Sequence, residues 1–206
     1  MHTPVWTVAR MKAWEDQQNL AGLSYARMME HAGSRAAEDL MRRFPHPQHT
    51  LVLCGKGNNA GDGLVLARIL AQQHWPVTIM WLQGRQLSVL AAANQVRLPA
   101  AINYVDMAQL DVVLPSMQLV VDAVYGTGFH GELPQAVGEC FATVAQADVF
   151  RVALDMPSGV AGDGDTVASD SFQAQLTYAF QALKPAHCLT QVQQLCGEVL
   201  CIDLQG

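Results

Sequence analysis

The sequence predicts a doubly wound α/β domain, one mostly parallel sheet covered by helices on both faces. Three observations predict it. The apolar runs "TLVLC", "PVTIMWL", "QLVVDAVYG" and "VFRVALD" are continuous rather than alternating, as strands buried on both faces must be. Helical patterns separate these runs. The segments that follow the strands are rich in Gly, Asn, Asp and Ser, at the edge where such sheets hold ligands.

Taken in order, residues 24–43, "SYARMMEHAGSRAAEDLMRR", carry apolar groups at helical spacing: Met28, Met29, Ala32, Ala36 and Leu40. Ser24 is suited to cap this helix and "FPHPQH" ends it. A helix over about residues 10–20 precedes it. "TLVLC" leads to a helix over about residues 61–74, and "PVTIMWL" to one over about residues 86–97. "QLVVDAVYG" precedes a helix over residues 135–146, and "VFRVALD" stops at "MPSG". No repeat, low-complexity tract or linker interrupts the chain. Residues 1–206 therefore read as a single domain.

Composition excludes several classes. Twelve Lys and Arg stand against eighteen Asp and Glu, a net charge of −6, and the basic residues form no cluster. That argues against nucleic acid or an anionic membrane surface as partner. Five cysteines, Cys54, Cys140, Cys188, Cys196 and Cys201, form no CxxC pair and lie in apolar runs. They read as reduced core thiols of a cytoplasmic protein. The first thirty residues hold Arg10, Lys12, Glu15 and Asp16 and no apolar leader, and no run approaches the roughly twenty apolar residues of a membrane span.

The chemistry is concentrated in the loops. In "CGKGNNAGDG", Gly55, Gly57 and Ala60 fit the G-x-G-x-x-G/A spacing between a strand and a helix. Bare backbone of this kind lets N–H groups and a helix N-terminus reach a phosphate. The acid that an NAD dehydrogenase carries at the end of the next strand is missing from Met80 to Gln83, and no Gly-Lys-Ser/Thr follows. An ordinary dehydrogenase and a P-loop are both set aside. On this loop alone, a ligand site and a simple helix cap by Asn59 and Asp62 are equally open.

"YGTGFHGE" offers the Thr127 hydroxyl and open backbone at Gly126, Gly128 and Gly131, or is a plain turn. Asp122 lies within an apolar strand, where a carboxylate needs a partner, hydrogen bonds or a cation. Asp155 closes "VFRVAL", where partial burial raises a carboxyl pKa toward neutrality and suits it to proton transfer, unless it only bonds its own turn. Lys184 follows the apolar "LTYAFQAL", so its ammonium is expected to meet an anion, Asp155 or a phosphate. Ser158 lacks a GxSxG elbow, which sets aside a hydrolase triad. The seven histidines read as surface or capping residues, His130 alone lying in a site loop.

In this order, "CGKGNNAGDGLVLAR", "VVDAVYGTGFHGE", "VALDMPSGV" and "LTYAFQALKP" resemble the NAD(P)H-hydrate epimerase family, the YjeF N-terminal domain. "LSYARMMEHAG" is similar to the family's opening helix and "GEVLCIDL" to its closing strand, so the resemblance spans nearly the whole chain. It implies a three-layer Rossmann-like domain, usually a homodimer, that interconverts the R and S forms of hydrated NADH or NADPH. It further implies that Asn58, Asn59, Ala60, Gly61 and Asp62, with Gly126, Thr127, Gly128, Phe129, His130, Gly131 and Glu132, bind the dinucleotide. Asp155 would touch the damaged nicotinamide and act as the proton-transfer group, with Lys184 tuning its charge. Asn59, Asp122 and Ser158 would hold one potassium ion per subunit, being hard oxygen donors.

A functional partner is implied too, an ATP- or ADP-dependent dehydratase often fused downstream. Three departures stand out: Ala60 for a usual glycine, Lys56 for a common proline, and "AHCLTQVQQLCGEV" for a glycine-bearing loop. The rival expectation is a non-catalytic nucleotide-binding or assembly module of the same fold. Retention of Asp122, Asp155, Ser158 and Lys184 favours the enzyme.

Overall fold

The computed structural model describes residues 3–205. Strands β1 (Thr50–Cys54), β2 (Val77–Trp81), β3 (Asn103–Val105), β4 (Leu119–Ala123), β5 (Phe150–Leu154), β6 (Leu176–Phe180) and β7 (Glu198–Ile202) form one sheet. Its order is β3-β2-β1-β4-β5-β6-β7, and every neighbouring pair is parallel. β1, β2, β4 and β6 are buried at every position, as their continuous apolar sequences require. Successive side chains enter opposite layers. In β1, Val52 and Cys54 join one core cluster, and Leu51 and Leu53 the other.

The first of these layers is built by α1 (Val8–Leu20), α2 (Tyr25–Arg43), α3 (Asn58–Gln72) and α4 (Val89–Gln95). Ser24 caps α2 by accepting from the Arg27 N–H, and the predicted stripe, extended by Gly33 and Ala37, is its buried face. α3 is apolar around most of its surface because the sheet lies on one side and α2 on the other. The opposite layer holds α5 (Leu110–Val113) and α6 (Gln135–Gln146), with Val137, Cys140, Phe141 and Val144 of α6 turned inward. α7 (Thr190–Cys196) covers the β6–β7 end through Val192 and Cys196.

The sequence expectations differ from this fold at five places. α3 begins at Asn58, three residues earlier than its apolar pattern, so Asn59 and Asp62 lie inside the helix and neither caps it. β3 has two exposed residues and one half-buried residue at the sheet edge and α7 has two buried positions, too few for a periodic signal. α4 is shorter than predicted. Cys188 is exposed and Cys201 half-buried, so only Cys54, Cys140 and Cys196 are core thiols. Among the described residues no helix is long and apolar enough to cross a membrane.

The chain leaves β1 for β2 on one side and later returns to β4 on the other. This reversal opens a crevice at the carboxyl ends of β1 and β4. Tight packing underlies it: a Cβ on Gly33 of α2 would lie 2.6 Å from the Asp62 carbonyl oxygen of α3. Overpacking of this kind costs about 1–3 kcal/mol, against roughly 1 kcal/mol that alanine gains over glycine within a helix. Gly33→Ala should therefore lower the urea midpoint at an unchanged m-value. A raised midpoint would show that the two helices can separate freely.

Candidate active site

The loops after β1, β4, β5 and β6 border a cleft of about 430 Å³. Met11 and Glu15 of α1 and Tyr25, Met28 and Met29 of α2 form its other wall. The wall is in place because the N-terminal segment is tied to the β6 loop. The Leu183 N–H donates to the Pro4 carbonyl (2.9 Å), and the Trp6 N–H to the Leu183 carbonyl (2.8 Å).

Next in the chain is Lys184, whose side chain is wholly buried. Its ammonium donates to Asp155 Oδ1 (2.5 Å) and to the Phe180 carbonyl (2.9 Å). Asp155 Oδ2 accepts from the Thr127 N–H (3.3 Å). Burial pushes the Asp155 carboxyl up, but the Lys184 charge and these hydrogen bonds outweigh it and hold the group below the usual carboxylate range. The expected rise toward neutrality does not occur, because a cation is buried with the acid. Asp155 also has a left-handed backbone (φ 65°), a conformation that costs a non-glycine residue strain and that concentrates at functional sites.

His187, which the sequence reading passed over, secures this geometry. It is buried in the one-turn helix after Lys184. The Lys184 N–H can only donate, so Nδ1 accepts it (2.9 Å). The ring proton is thereby fixed on Nε2, which donates to the Asp155 carbonyl (3.1 Å). Burial and the neighbouring ammonium push the His187 pKa down to about 4. The imidazole is a neutral clamp.

Beneath the cleft, Asp122 at the end of β4 is wholly buried. It accepts from the Ser158 N–H (2.7 Å), the Ser158 hydroxyl (2.7 Å) and the Val124 N–H (3.1 Å). Burial raises its pKa to about 7 against these bonds. Ser158 Oγ in turn accepts from the Tyr125 N–H (2.8 Å), and Asn59 Nδ2 donates to the Tyr125 carbonyl (3.0 Å). The start of α3 and the β4 and β5 loops thus meet at one residue, Tyr125. Asn59 Oδ1 is buried there with no partner.

α3 starts at this point with no side-chain cap, leaving its first N–H groups free at the cleft. Of the glycines in "GKGNNAGDG", Gly57 faces open space. Gly55, Gly61 and Gly63 have neighbours that a Cβ would strike at 2.1–2.4 Å. The glycines of this stretch therefore serve packing three times, once in the loop and twice in α3, and the cleft once.

The cleft gathers Asn58, Asn59, Asp62, Gly126, Thr127, Gly128, Phe129, Asp155 and Lys184. It does not gather the rest of the expected set. Ala60 is wholly buried in the core, Gly61 packs on Met29, and His130, Gly131 and Glu132 are exposed outside the cleft. Asp122 and Ser158 lie under the floor. Glu15 was not foreseen. Burial, and after it the Asp155 carboxylate, push its pKa up to about 7. Asp62 is raised well above its usual value by burial and by the same neighbour. Glu15 has no sequence signal, since α1 contributes only one buried position to the core, whereas Asp62 of α3 belongs to the expected set.

Fold and site together define a doubly wound α/β domain of the nucleotide-binding type, with an acid–ammonium pair in its switch-point cleft. The chain belongs to the family described as YjeF-related protein N-terminus, whose model matches residues 25–186. It is 30% identical over 193 residues to the NAD(P)H-hydrate epimerase of Pirellula staleyi, covering 86% of this chain and 81% of that protein. To the NAD(P)H-hydrate epimerase of Rhodobacter capsulatus it is 34% identical over 179 residues, 78% of this chain and 79% of that protein. It is 34% identical over 192 residues to the bifunctional NAD(P)H-hydrate repair enzyme Nnr of Coxiella burnetii, 90% of this chain. There it spans only 38% of the relative's length. The crystal structure of yeast ynu0 shares the fold, with a TM-score of 0.76 over 93% of this chain and 86% of its own at 21% identity.

His187 provides a pH test. Its pKa falls from 6.5 unfolded to about 4 folded, so the unfolded chain binds the extra proton between these values. The stability contributed by the neutral ring is fully present above about pH 6.5 and is lost as the pH falls toward 4. Glu15 and Asp122, with raised pKa values, contribute slopes of opposite sign. The difference between wild type and His187→Asn, measured by denaturation across this window, should therefore shrink as the pH falls. A constant difference would mean that His187 titrates like an exposed histidine.

Proposed function

We propose that this domain interconverts the R and S forms of hydrated NADH or NADPH. The observation that carries the reading is the carboxylate of Asp155, kept ionised by a buried ammonium beside the uncapped start of α3, within one cleft. An uncapped helix N-terminus suits a dinucleotide's phosphates, and an ionised acid in an apolar-walled cleft suits proton transfer. The epimerases among the relatives support the same substrate.

Carbon 6 of the hydrated ring bears a hydroxyl and the ring nitrogen. An ionised Asp155 serves the base-first route. It takes the hydroxyl proton, the bond from carbon 6 to nitrogen breaks as the carbonyl forms, and the nitrogen gains a proton. Closure on the other face of the aldehyde carbon reverses each transfer and inverts the centre. Lys184 keeps Asp155 anionic until it takes that proton and favours the proton's return on closure. Glu15, half-buried on the α1 wall with a pKa of about 7, is the group suited to lend the nitrogen its proton and recover it. Met28, Met29 and Phe180 restrict bulk water.

The reading includes one potassium ion per subunit. The unpartnered Asn59 Oδ1 fits it, together with Ser158 Oγ and the Asp122 carboxylate, all hard oxygen donors. Such an ion would offset the Asp122 charge and hold these three segments in register. A second copy of the chain and a dehydratase acting on the same hydrate are the proposed partners, in the cytoplasm. The bifunctional repair enzyme among the relatives supports the second of these.

Asp155→Asn should slow epimer exchange of hydrated NADH, followed by chiral chromatography, by roughly 10²- to 10⁴-fold with the fold intact by circular dichroism. Undiminished exchange would remove Asp155 from the chemistry. The ion is tested separately. Melting should occur at a higher temperature in potassium chloride than in a bulky organic cation's chloride at equal ionic strength, and Asn59→Ala should abolish the difference. Equal melting in both salts would leave Asp122 and Asn59 with hydrogen-bonding roles alone.

A further inference from the structure

In doubly wound nucleotide domains the end of the second strand meets the ribose that follows the pyrophosphate. An acid there takes the free 2′-hydroxyl, whereas a nearby arginine accepts a 2′-phosphate. Here the corresponding residue is Gln83, two positions beyond β2, and it lines the cleft. Its Nε2 donates to the Tyr125 hydroxyl, while its Oε1 is buried with no partner. Gly84 then turns the chain with a positive φ of 76°, and Arg85 follows, exposed, its guanidinium 5.8 Å from the centre of the Tyr104 ring.

Lys56 follows Gly55 in the β1 loop, and a Cβ on Gly55 would lie 3.0 Å from Gln83 Oε1. Lys56 lines the cleft and is exposed, and its carbonyl accepts the Ser88 N–H (2.8 Å), which joins the two loops. The local charge is one-sided. Residues 63–105 contain no Asp or Glu at all, in a chain whose net charge is −6. Scattered basic residues would not by themselves mark a site. Two cations on bonded loops, one that lines the cleft with a neutral amide and one two residues beyond that amide in the chain, do.

We infer that the cleft is built for the 2′-phosphorylated dinucleotide: NADPH hydrate is preferred over NADH hydrate, with Arg85 and Lys56 taking the 2′-phosphate beside the uncharged Gln83. The inference rests on the dinucleotide reading above and names its substrate more closely. Arginine pairs with phosphate through two parallel hydrogen bonds, and a carboxylate at position 83 would repel the same group.

The test compares kcat/KM for epimer exchange of the two hydrates in wild type, Arg85→Ala and Gln83→Glu, with melting temperatures as a folding check. Binding of adenosine 2′,5′-bisphosphate and of adenosine 5′-monophosphate is measured alongside by calorimetry. Wild type should favour NADPH hydrate by roughly tenfold or more, as a charge-assisted phosphate contact implies. Each variant should bring the ratio to within about threefold, acting through KM. A wild-type ratio near one, or a ratio that neither variant moves, would overturn the inference and leave the epimerase reading standing. If neither hydrate is exchanged, the epimerase reading fails and the bisphosphate decides. Tighter binding than the monophosphate that depends on Arg85 sustains the inference, and equal or absent binding overturns it.

Discussion

An ammonium and a carboxylate share the inner end of the cleft, the ammonium wholly out of water and the acid nearly so. Taking either alone from solvent costs several kcal/mol, and removal of one partner would strand the other. Much of the surrounding structure exists to keep this pair made. Three carbonyl, amide and imidazole contacts from Phe180, Thr127 and His187 surround it, and the Asp155 backbone accepts a left-handed conformation to present its side chain. The N-terminal segment pairs with Leu183, one residue before the lysine, and so closes the cleft above it. Geometry and protonation state are therefore set by the same contacts.

The parallel sheet supplies the place for this pair. Because all seven strands run one way, every strand end that can carry an acid faces the same edge. Asp122 and Asp155 end neighbouring strands but have different environments. Asp155 has a cation and stays ionised, while Asp122 has only hydrogen bonds from Ser158 and Val124 and rises to about 7. Two carboxyls of one type acquire two states, one ionised and open to the cleft and one that latches the β4 and β5 loops together.

The proposed substrate is an anionic dinucleotide, yet the cleft holds Glu15, Asp62 and Asp155 in an acidic chain. The conflict is reduced by position. Glu15 and Asp62 are shifted toward their neutral forms, while the free N–H groups of α3 and the Lys56–Arg85 rim lie on the β1–β2 side. Backbone dipoles act over the first turn only, so a net charge of −6 does not prevent local anion binding.

The sequence by itself determined the layer order, the central strands and the loops that carry the chemistry. Continuous apolar runs and a capped amphipathic helix are local patterns, and β1, β2, β4, β5, β6 and α2 follow them. The resemblance in four ordered motifs likewise led to Asp155 and Lys184. Only the tertiary structure decided which residues meet. Glu15 enters the cleft because an N-terminal segment pairs with a loop far along the chain, and His187 becomes a neutral clamp because Lys184 and Asp155 flank it in space. His130, Gly131 and Glu132 sit in the expected loop yet are exposed and do not line the cleft. The pKa of Asp155 was misjudged although Lys184 was expected as a partner: only the structure shows the ammonium wholly buried and in direct contact with the carboxylate, where its charge outweighs desolvation.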